Sequence, residues 1–460
     1  MKKIKKVLIF LLIISSSFFY TNGQWARRFS EAGSEFPRAI FTTSDGSIFS
    51  AGYTEANTKN GYSWVLKLSS AGEKLGAHSY KIGWDTPDSK DEILGVYHDE
   101  EGFFIFAGNT AAYPKYENVA TKQMIVYKVS YEGDILWTKV MGSELSSSAC
   151  YAYGTPDGGC IVVGYFYSLS SGAKDVILVK LDSFGMIEWQ RSYGGKGNDE
   201  PCGVYPTSDG GYVVAGNSYS FHPFNGDYWV VKLSAWGDVE WEKTYGRNKE
   251  DKAYCFDITS DGGFIIAGES FSVDPENSDI WIVRLSASGD ILWQKAYNQG
   301  ERARANSIVA LPEGGYAVAG TFWEQKRQEL IYFKLTDRGD IIWQKKFSVS
   351  LSIEEISADS AFGIDHSVDG SYAVLGLTEP TQKSDKYVMI IKTLSNGDVS
   401  NCGYLSEGSL SVVDTNSVPL ESKAEVNISF FIEYDADVLP ASTNFDVQIL
   451  CPSKKNIIRR

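Results

Sequence analysis

One interval governs this sequence. A glycine, mostly after a small residue, closes a short apolar run at Gly52, Gly108, Gly164, Gly216, Gly268, Gly320 and Gly376, at spacings of 56, 56, 52, 52, 52 and 56. Seven copies at that period leave no room in 460 residues for several unrelated domains.

Every copy is built from the same parts. An apolar run leads to an Asp-Gly turn, as in Asp157-Gly158-Gly159, Asp209-Gly210-Gly211 and Asp261-Gly262-Gly263, with Glu313 replacing the acid in the sixth copy. Asp-Gly between apolar runs marks a tight hairpin, because glycine tolerates a positive φ. A second strand follows, such as Tyr212 to Gly216, then a variable loop and a third strand, such as Tyr228 to Leu233. A second glycine turn (Gly133, Gly185, Gly237, Gly289, Gly339) opens a fourth strand carrying Trp137, Trp189, Trp241, Trp293 or Trp343. Four short antiparallel strands, seven times over, specify an all-β chain folded as a seven-bladed β-propeller. The inner strands are apolar at consecutive positions, as in sheets buried on both faces. A linear β-solenoid is the alternative, but its coils are normally shorter than these units.

The ring also has a means of closing. Trp25-Ala26-Arg27-Arg28-Phe29 matches Trp189-Gln190-Arg191-Ser192-Tyr193, so residues from 25 read as a fourth strand without a preceding third. The seventh copy has Asn401 where tryptophan is expected, so the N-terminal strand completes that blade and removes an open edge. The first copy lacks its tryptophan too, with Gly76 in its place. This places the propeller at 24–402. Residues 403–460 fall outside the repeat as a small β-rich extension, with strand-like runs at Ala424 to Tyr434 and Asn444 to Leu450. Two placements are open for it: an appendage on one face, or pairing with a partner.

Residues 1–23 read as a secretory signal peptide: Lys2, Lys3, Lys5 and Lys6, then an apolar Val7 to Tyr20, then small residues at Thr21 and Gly23. The run is too short for a membrane-spanning helix, so no transmembrane segment is expected. The expectation is an exported protein: periplasmic, cell-surface or extracellular. Losing the four lysines takes the net charge from −15 to −19, which argues against nucleic acid as a partner. Of six cysteines, Cys402 and Cys451 bracket the extension and are read as the candidate disulfide pair. Cys150, Cys202 and Cys255 fall at similar places in successive copies and read as small buried side chains.

In such a blade the Asp-Gly and Gly-Asp turns share one face, and the variable second-to-third loops share the other with the inter-blade connections. Variable loops on one face are the usual binding surface. That face is aromatic and acidic, and its candidate ligand-binding residues are Trp84, Tyr165, Tyr167, Tyr219, Phe271 and Trp323. Trp84 and Trp323 lead, because they read as lying off the repeat pattern. The repeated tryptophans read as packing devices. The third-strand cations (Lys67, Lys128, Lys180, Lys232, Arg284, Lys334, Lys392) read as partners of a carboxylate or carbonyl in each blade. Asp175, Asp227 and Asp279 could ring a cation at the channel mouth, but local loop hydrogen bonding is the favoured reading. His78, His98, His222 and His366 are scattered without a zinc motif, and no nucleophile elbow is present. No catalytic residue, metal site or cofactor is read from this pattern.

The strings Asp209 to Gly216 and Asp227 to Asp238 resemble the repeats of secreted propeller-like proteins from Bacteroidota and relatives. The resemblance spans roughly 24–400 and implies an exported bacterial propeller, without implying an activity. Leu285 to Trp293 also resembles the tryptophan-docking repeat of quinoprotein and outer-membrane-assembly propellers, but the quinone-binding residues have no counterpart. Taken together, the sequence favours a non-catalytic binding or scaffold propeller, taking a glycan, peptide or protein on its loop face. The alternative is a polysaccharide hydrolase or lyase using carboxylates at the channel mouth.

Overall fold

The computed structural model describes most residues between 24 and 451; 1–23, 83–91, 111–121, 349–356, 452–460 and several shorter stretches lie outside the described residues. It contains seven antiparallel blades around a central axis. Blade 4 shows the plan, with strands Asp199–Pro206, Tyr212–Ser218, Asp227–Leu233 and Val239–Tyr245 counted outward from the axis. Its first turn closes as the sequence dictates. Gly210 sits at φ 84°, while the Asp209 carboxylate accepts hydrogen bonds from Gly211 N (3.0 Å) and Thr207 Oγ1 (2.6 Å). The N-terminal strand Trp25–Ser30 supplies the fourth strand of blade 7, pairing antiparallel with Tyr387–Lys392 in the register Trp25 to Lys392. The ring is therefore closed by joining the two ends of the repeat array.

The extension takes neither expected placement. It runs round the outside of the ring and adds a fifth strand to every blade. Leu405–Glu407 pairs with blade 6, Ser411–Asp414 with blade 5, Leu420–Glu421 with blade 4 and Glu425–Asn427 with blade 3. Ile432–Asp435 then pairs with blade 2, Val438–Ala441 with blade 1 and Asp446–Cys451 with the N-terminal strand of blade 7. The strap thus visits the blades in reverse order and returns to its starting point. The reason is the row of unpaired N–H and C=O groups that each fourth strand would otherwise present to solvent. Side chains pin the strap's first part. Gln344 accepts from Leu410 N (2.8 Å), Thr415 Oγ1 accepts from Trp281 Nε1 (3.0 Å), and Lys345 pairs with Glu407.

Blade-to-blade packing explains the repeated tryptophans. Each indole lies on the 3–4 turn glycine of the next blade: Trp137 on Gly185, Trp189 on Gly237, Trp241 on Gly289, Trp293 on Gly339, Trp343 on Gly397 and Trp25 on Gly72. Blade 1, which has Gly76 instead, sets the His78 ring against Gly133. Tyr193, Tyr245 and Tyr297 complete the dock by donating their hydroxyls to the carbonyls of Gly237, Gly289 and Gly339. A side chain on Gly289 would meet the Trp241 ring at 2.8 Å, at a φ of +76°. Gly289→Ala is therefore expected to cost about 2 kcal/mol, against about 1 kcal/mol for Gly210→Ala, where only the backbone conformation resists. Urea midpoints of the two variants check this ordering.

Six of the seven third-strand cations behave as the repeat implied, and Lys67 departs from it. Lys180, Lys232, Lys334 and Lys392 meet the turn acids Asp157, Asp209, Glu313 and Asp369 at 2.7, 2.9, 3.0 and 3.3 Å, and Arg284 grips Asp261. Lys128 instead donates to the Gly158 carbonyl (3.1 Å), and Lys67 lies over the Phe49 ring.

Candidate functional site

Every inner strand carries one β-bulge, at the same place. The register slips at Arg38, Leu94, Cys150, Cys202, Tyr254, Asn306 and Phe362. These seven residues recur at the spacing that governs the whole sequence. A bulge sets two residues against one and re-aims a side chain. Here all seven line a cavity of about 500 Å³ on the propeller axis. This corrects the reading of the repeated cysteines. Cys150 and Cys202 are bulge residues and Cys255 is one position beyond its bulge; all three are partly exposed on the channel wall, whereas Cys160 is fully buried. All four are free thiols. Cys402 is disulfide-bonded, while the Cys451 side chain lies outside the described residues.

Toward the turn face, aromatic rings of neighbouring inner strands meet from blade to blade. Rings of Tyr97 and Tyr153 lie 4.4 Å apart, Tyr153 and Tyr205 5.0 Å, and Tyr205 and Phe256 4.9 Å. Two half-buried carboxylates there are already occupied in tying blades together. Asp257 accepts from Ala310 N at 2.8 Å, and Asp365 accepts from Thr42 N at 2.6 Å and Thr42 Oγ1 at 2.8 Å. Burial pushes the Asp257 carboxyl up to about 6 and raises Asp365 as well.

On the loop face, the predicted aromatics separate. Trp84 lies outside the described residues. Tyr167, Tyr219, Phe271 and Trp323 occupy one equivalent position at the top of the second strand in blades 3 to 6. Their backbone N–H groups donate to Ser146, Asn198, Glu250 and Arg302 respectively, at 2.9–3.1 Å. Trp323 is thus on the pattern, not off it: the four residues are separated by the 52-residue repeat, a signal present in the sequence and overlooked there. They form an arc of aromatic rings over four consecutive blades. At one end Tyr165 and Tyr167 meet edge to face at 6.5 Å, with Lys174 Nζ 4.4 Å from the Tyr165 ring and paired to Glu200. Tyr219 donates to Glu250 at 2.6 Å. At the other end Trp323 lies against two guanidinium groups, Arg302 at 4.8 Å and Arg304 at 5.4 Å. Arg304 also lines the axial cavity, so the arc reaches the channel rim.

The acids of this rim are ionised and paired. Burial pushes Glu92 upward, but Lys122 and Asn109 hold it below its ordinary value. Tyr219 and Lys252 do the same for Glu250 against the same push. Glu269, buried, takes hydrogen bonds from Tyr254 (2.6 Å), Ser278 (3.1 Å) and Arg302 (3.2 Å).

Asp175, Asp227 and Asp279 start third strands, two strands out from the axis, so they do not ring the channel mouth. Asp227 is buried beneath Gly246, and its Oδ1 has no hydrogen-bond partner. Burial first, and the neighbouring Asp251 second, push its carboxyl up to about 7. Two large side chains on the opposite face also escaped the sequence reading: Phe184 and Trp236 stand on equivalent 3–4 turns of blades 3 and 4, 76% and 71% exposed.

No family model matches the chain. The regulatory protein FlaEY of Caulobacter vibrioides is 30% identical over 134 residues, or 25% of this chain. The match spans 14% of FlaEY's own length. Among solved structures, the chain is similar to a PL25 ulvan lyase bound to -[GlcA(1-4)Rha3S]- (TM-score 0.45, 12% identity, 81% of this chain and 96% of that one). It is also similar to Sqt1 from Chaetomium thermophilum (TM-score 0.43, 11% identity, 79% and 98%). A third is a DUF4623 family protein from Bacteroides eggerthii (TM-score 0.34, 11% identity, 82% and 99%). The likeness is of fold alone.

Proposed function

We propose that this is an exported binding propeller that lays an extended ligand, a glycan or a peptide, across the aromatic arc of blades 3 to 6. The observation carrying the reading is the recurrence of Tyr167, Tyr219, Phe271 and Trp323 at one loop-face position, with Trp323 touching the cavity-lining Arg304. Successive rings at blade spacing suit successive units of a chain-like ligand, because flat apolar faces with polar edges stack on sugars and peptide groups alike. Hydrolysis of a glycosidic bond asks for a carboxyl group held protonated near neutral pH beside a second one. The rim acids Glu92 and Glu250 are held ionised and Glu269 is fully engaged, while the pair that holds a proton near neutral pH, Asp227 beside Asp251, is buried, 2% and 0% exposed, which favours binding over hydrolysis.

Trp323→Ala is expected to weaken ligand capture tenfold or more, since truncating an aromatic anchor costs about 2 kcal/mol or more. Glycan-array and peptide pull-downs with both proteins check it. Equal recovery of every ligand by wild type and variant overturns the arc as the binding surface.

A further inference from the structure

The axial cavity carries an unusual wall for so acidic a chain. Of its charged lining residues, Arg38 and Arg304 are cationic, and the carboxylate, Asp365, is already bonded to Thr42. The other bulge residues, Leu94, Cys150, Cys202, Tyr254, Asn306 and Phe362, are neutral. Burial drives the thiols of Cys150 and Cys202 up to about 12, so they add no anion at neutral pH.

Arg304 is held without being satisfied. Its guanidinium lies 5.4 Å from the Trp323 ring and 5.5 Å from the Tyr254 ring, which fixes its plane. Its Nε is buried and has no hydrogen-bond partner. An unpaired buried donor carries a full desolvation penalty, and a charged one more so. The neighbouring arginine differs: Arg302 is exposed and spends a nitrogen on Glu269 at 3.2 Å. Arg38 stands on the same wall, with its Nε on the Ile93 carbonyl at 2.9 Å.

We infer that the axial cavity binds an oxyanion group, carboxylate or sulfate, borne by a sugar unit of an acidic saccharide, with Arg304 as its principal donor and Arg38 as a second cation. A guanidinium fork matches the two oxygens of such a group, and a partly dehydrated wall strengthens the contact. The cavity, about 500 Å³, falls within the range of small-ligand sites and has room for a single sugar ring. This inference rests on the reading of the arc as a saccharide platform, because Arg304 joins the two.

The test is calorimetric titration of the full chain with four probes: a uronic-acid oligosaccharide, the same oligosaccharide with its carboxyls reduced to alcohols, a sulfated neutral oligosaccharide, and sodium sulfate. Wild type is expected to bind the uronic or the sulfated probe at least tenfold more tightly than the reduced one, and which of the two it prefers names the source of the oxyanion. Arg304→Gln is expected to abolish that preference, with Arg304→Lys restoring part of it. Arg38→Gln gives a second reading if the Arg304 variants do not fold. Equal affinity of wild type for the acidic and reduced probes overturns the inference and leaves the arc standing. A preference kept by Arg304→Gln and Arg38→Gln also overturns it. Binding of sulfate alone, with no saccharide bound, overturns the saccharide assignment. Loss of all saccharide binding in Trp323→Ala with the acidic preference of wild type intact supports both readings.

Discussion

Cys402→Ser is expected to destabilise the protein by about 4 kcal/mol, the chain-entropy value for opening a loop of roughly 50 residues. Cys402 is disulfide-bonded, and the four cysteines of the repeats are free. It packs beside the cluster that contains Ala26, and the backbone of Ala26 pairs with Cys451. A Cys402–Cys451 bridge would therefore close the strap on itself after one circuit of the ring. The strap strands are two to six residues long, too short to hold an edge by hydrogen bonds alone. Without the bridge each can fray independently; with it, releasing one strand leaves the belt in place. Urea midpoints should fall for Cys402→Ser in oxidising buffer, wild type in reductant should match the variant, and non-reducing peptide mapping should recover Cys402 and Cys451 in one linked fragment. An unchanged midpoint would mean that the bridge closes nothing that unfolding must open.

The blade plan was legible because it depends on local chemistry repeated at one interval. Asp-Gly turns, consecutive apolar strands and a docking tryptophan each appear several times, so errors in one copy are corrected by the others. The N-terminal clasp was legible for the same reason, since Trp25 to Phe29 is a displaced member of the pattern. The strap was not. Its strands are short and add to edges that exist only once the ring has formed, so no local signal separates Leu420–Glu421 from a loop. The bulge ring was hidden differently. A bulge leaves no composition of its own, and Arg38, Leu94, Cys150 and Tyr254 share a place in the fold but no chemistry. The aromatic arc was within reach. Treating Trp323 as an exception overlooked that Tyr167, Tyr219 and Phe271 stand at exact multiples of 52 residues before it.

Asp227→Asn is expected to stabilise the folded chain at pH 8 while leaving it unchanged below pH 4. The folded carboxyl is pushed up to about 7, whereas an unfolded one titrates near its ordinary value of about 4. Between those values the folded state holds a proton that the unfolded state has released, so wild-type stability falls as pH rises through the window. The full shift sets an upper limit of about 4 kcal/mol on the loss, all of it present above pH 7. The opposite limb belongs to the turn acids. Asp157, Asp209 and Asp261 lie at about 2, since their hydrogen bonds and the Lys180, Lys232 and Arg284 cations outweigh the upward push of burial. Their contribution is present above about pH 4 and is lost as pH falls toward 2. Thermal midpoints from pH 2 to 9 should therefore peak near pH 4 in wild type. In Asp227→Asn the acid limb should persist and the decline above pH 4 should shrink to what Asp257, at about 6, and the likewise raised Asp199 and Asp365 impose. Asp251→Asn separates the two causes. It removes the like charge but not the burial, and burial is the larger cause, so its gain at pH 8 should be smaller than that of Asp227→Asn. A larger gain from Asp251→Asn would instead make repulsion between the two carboxylates the dominant cost at this blade.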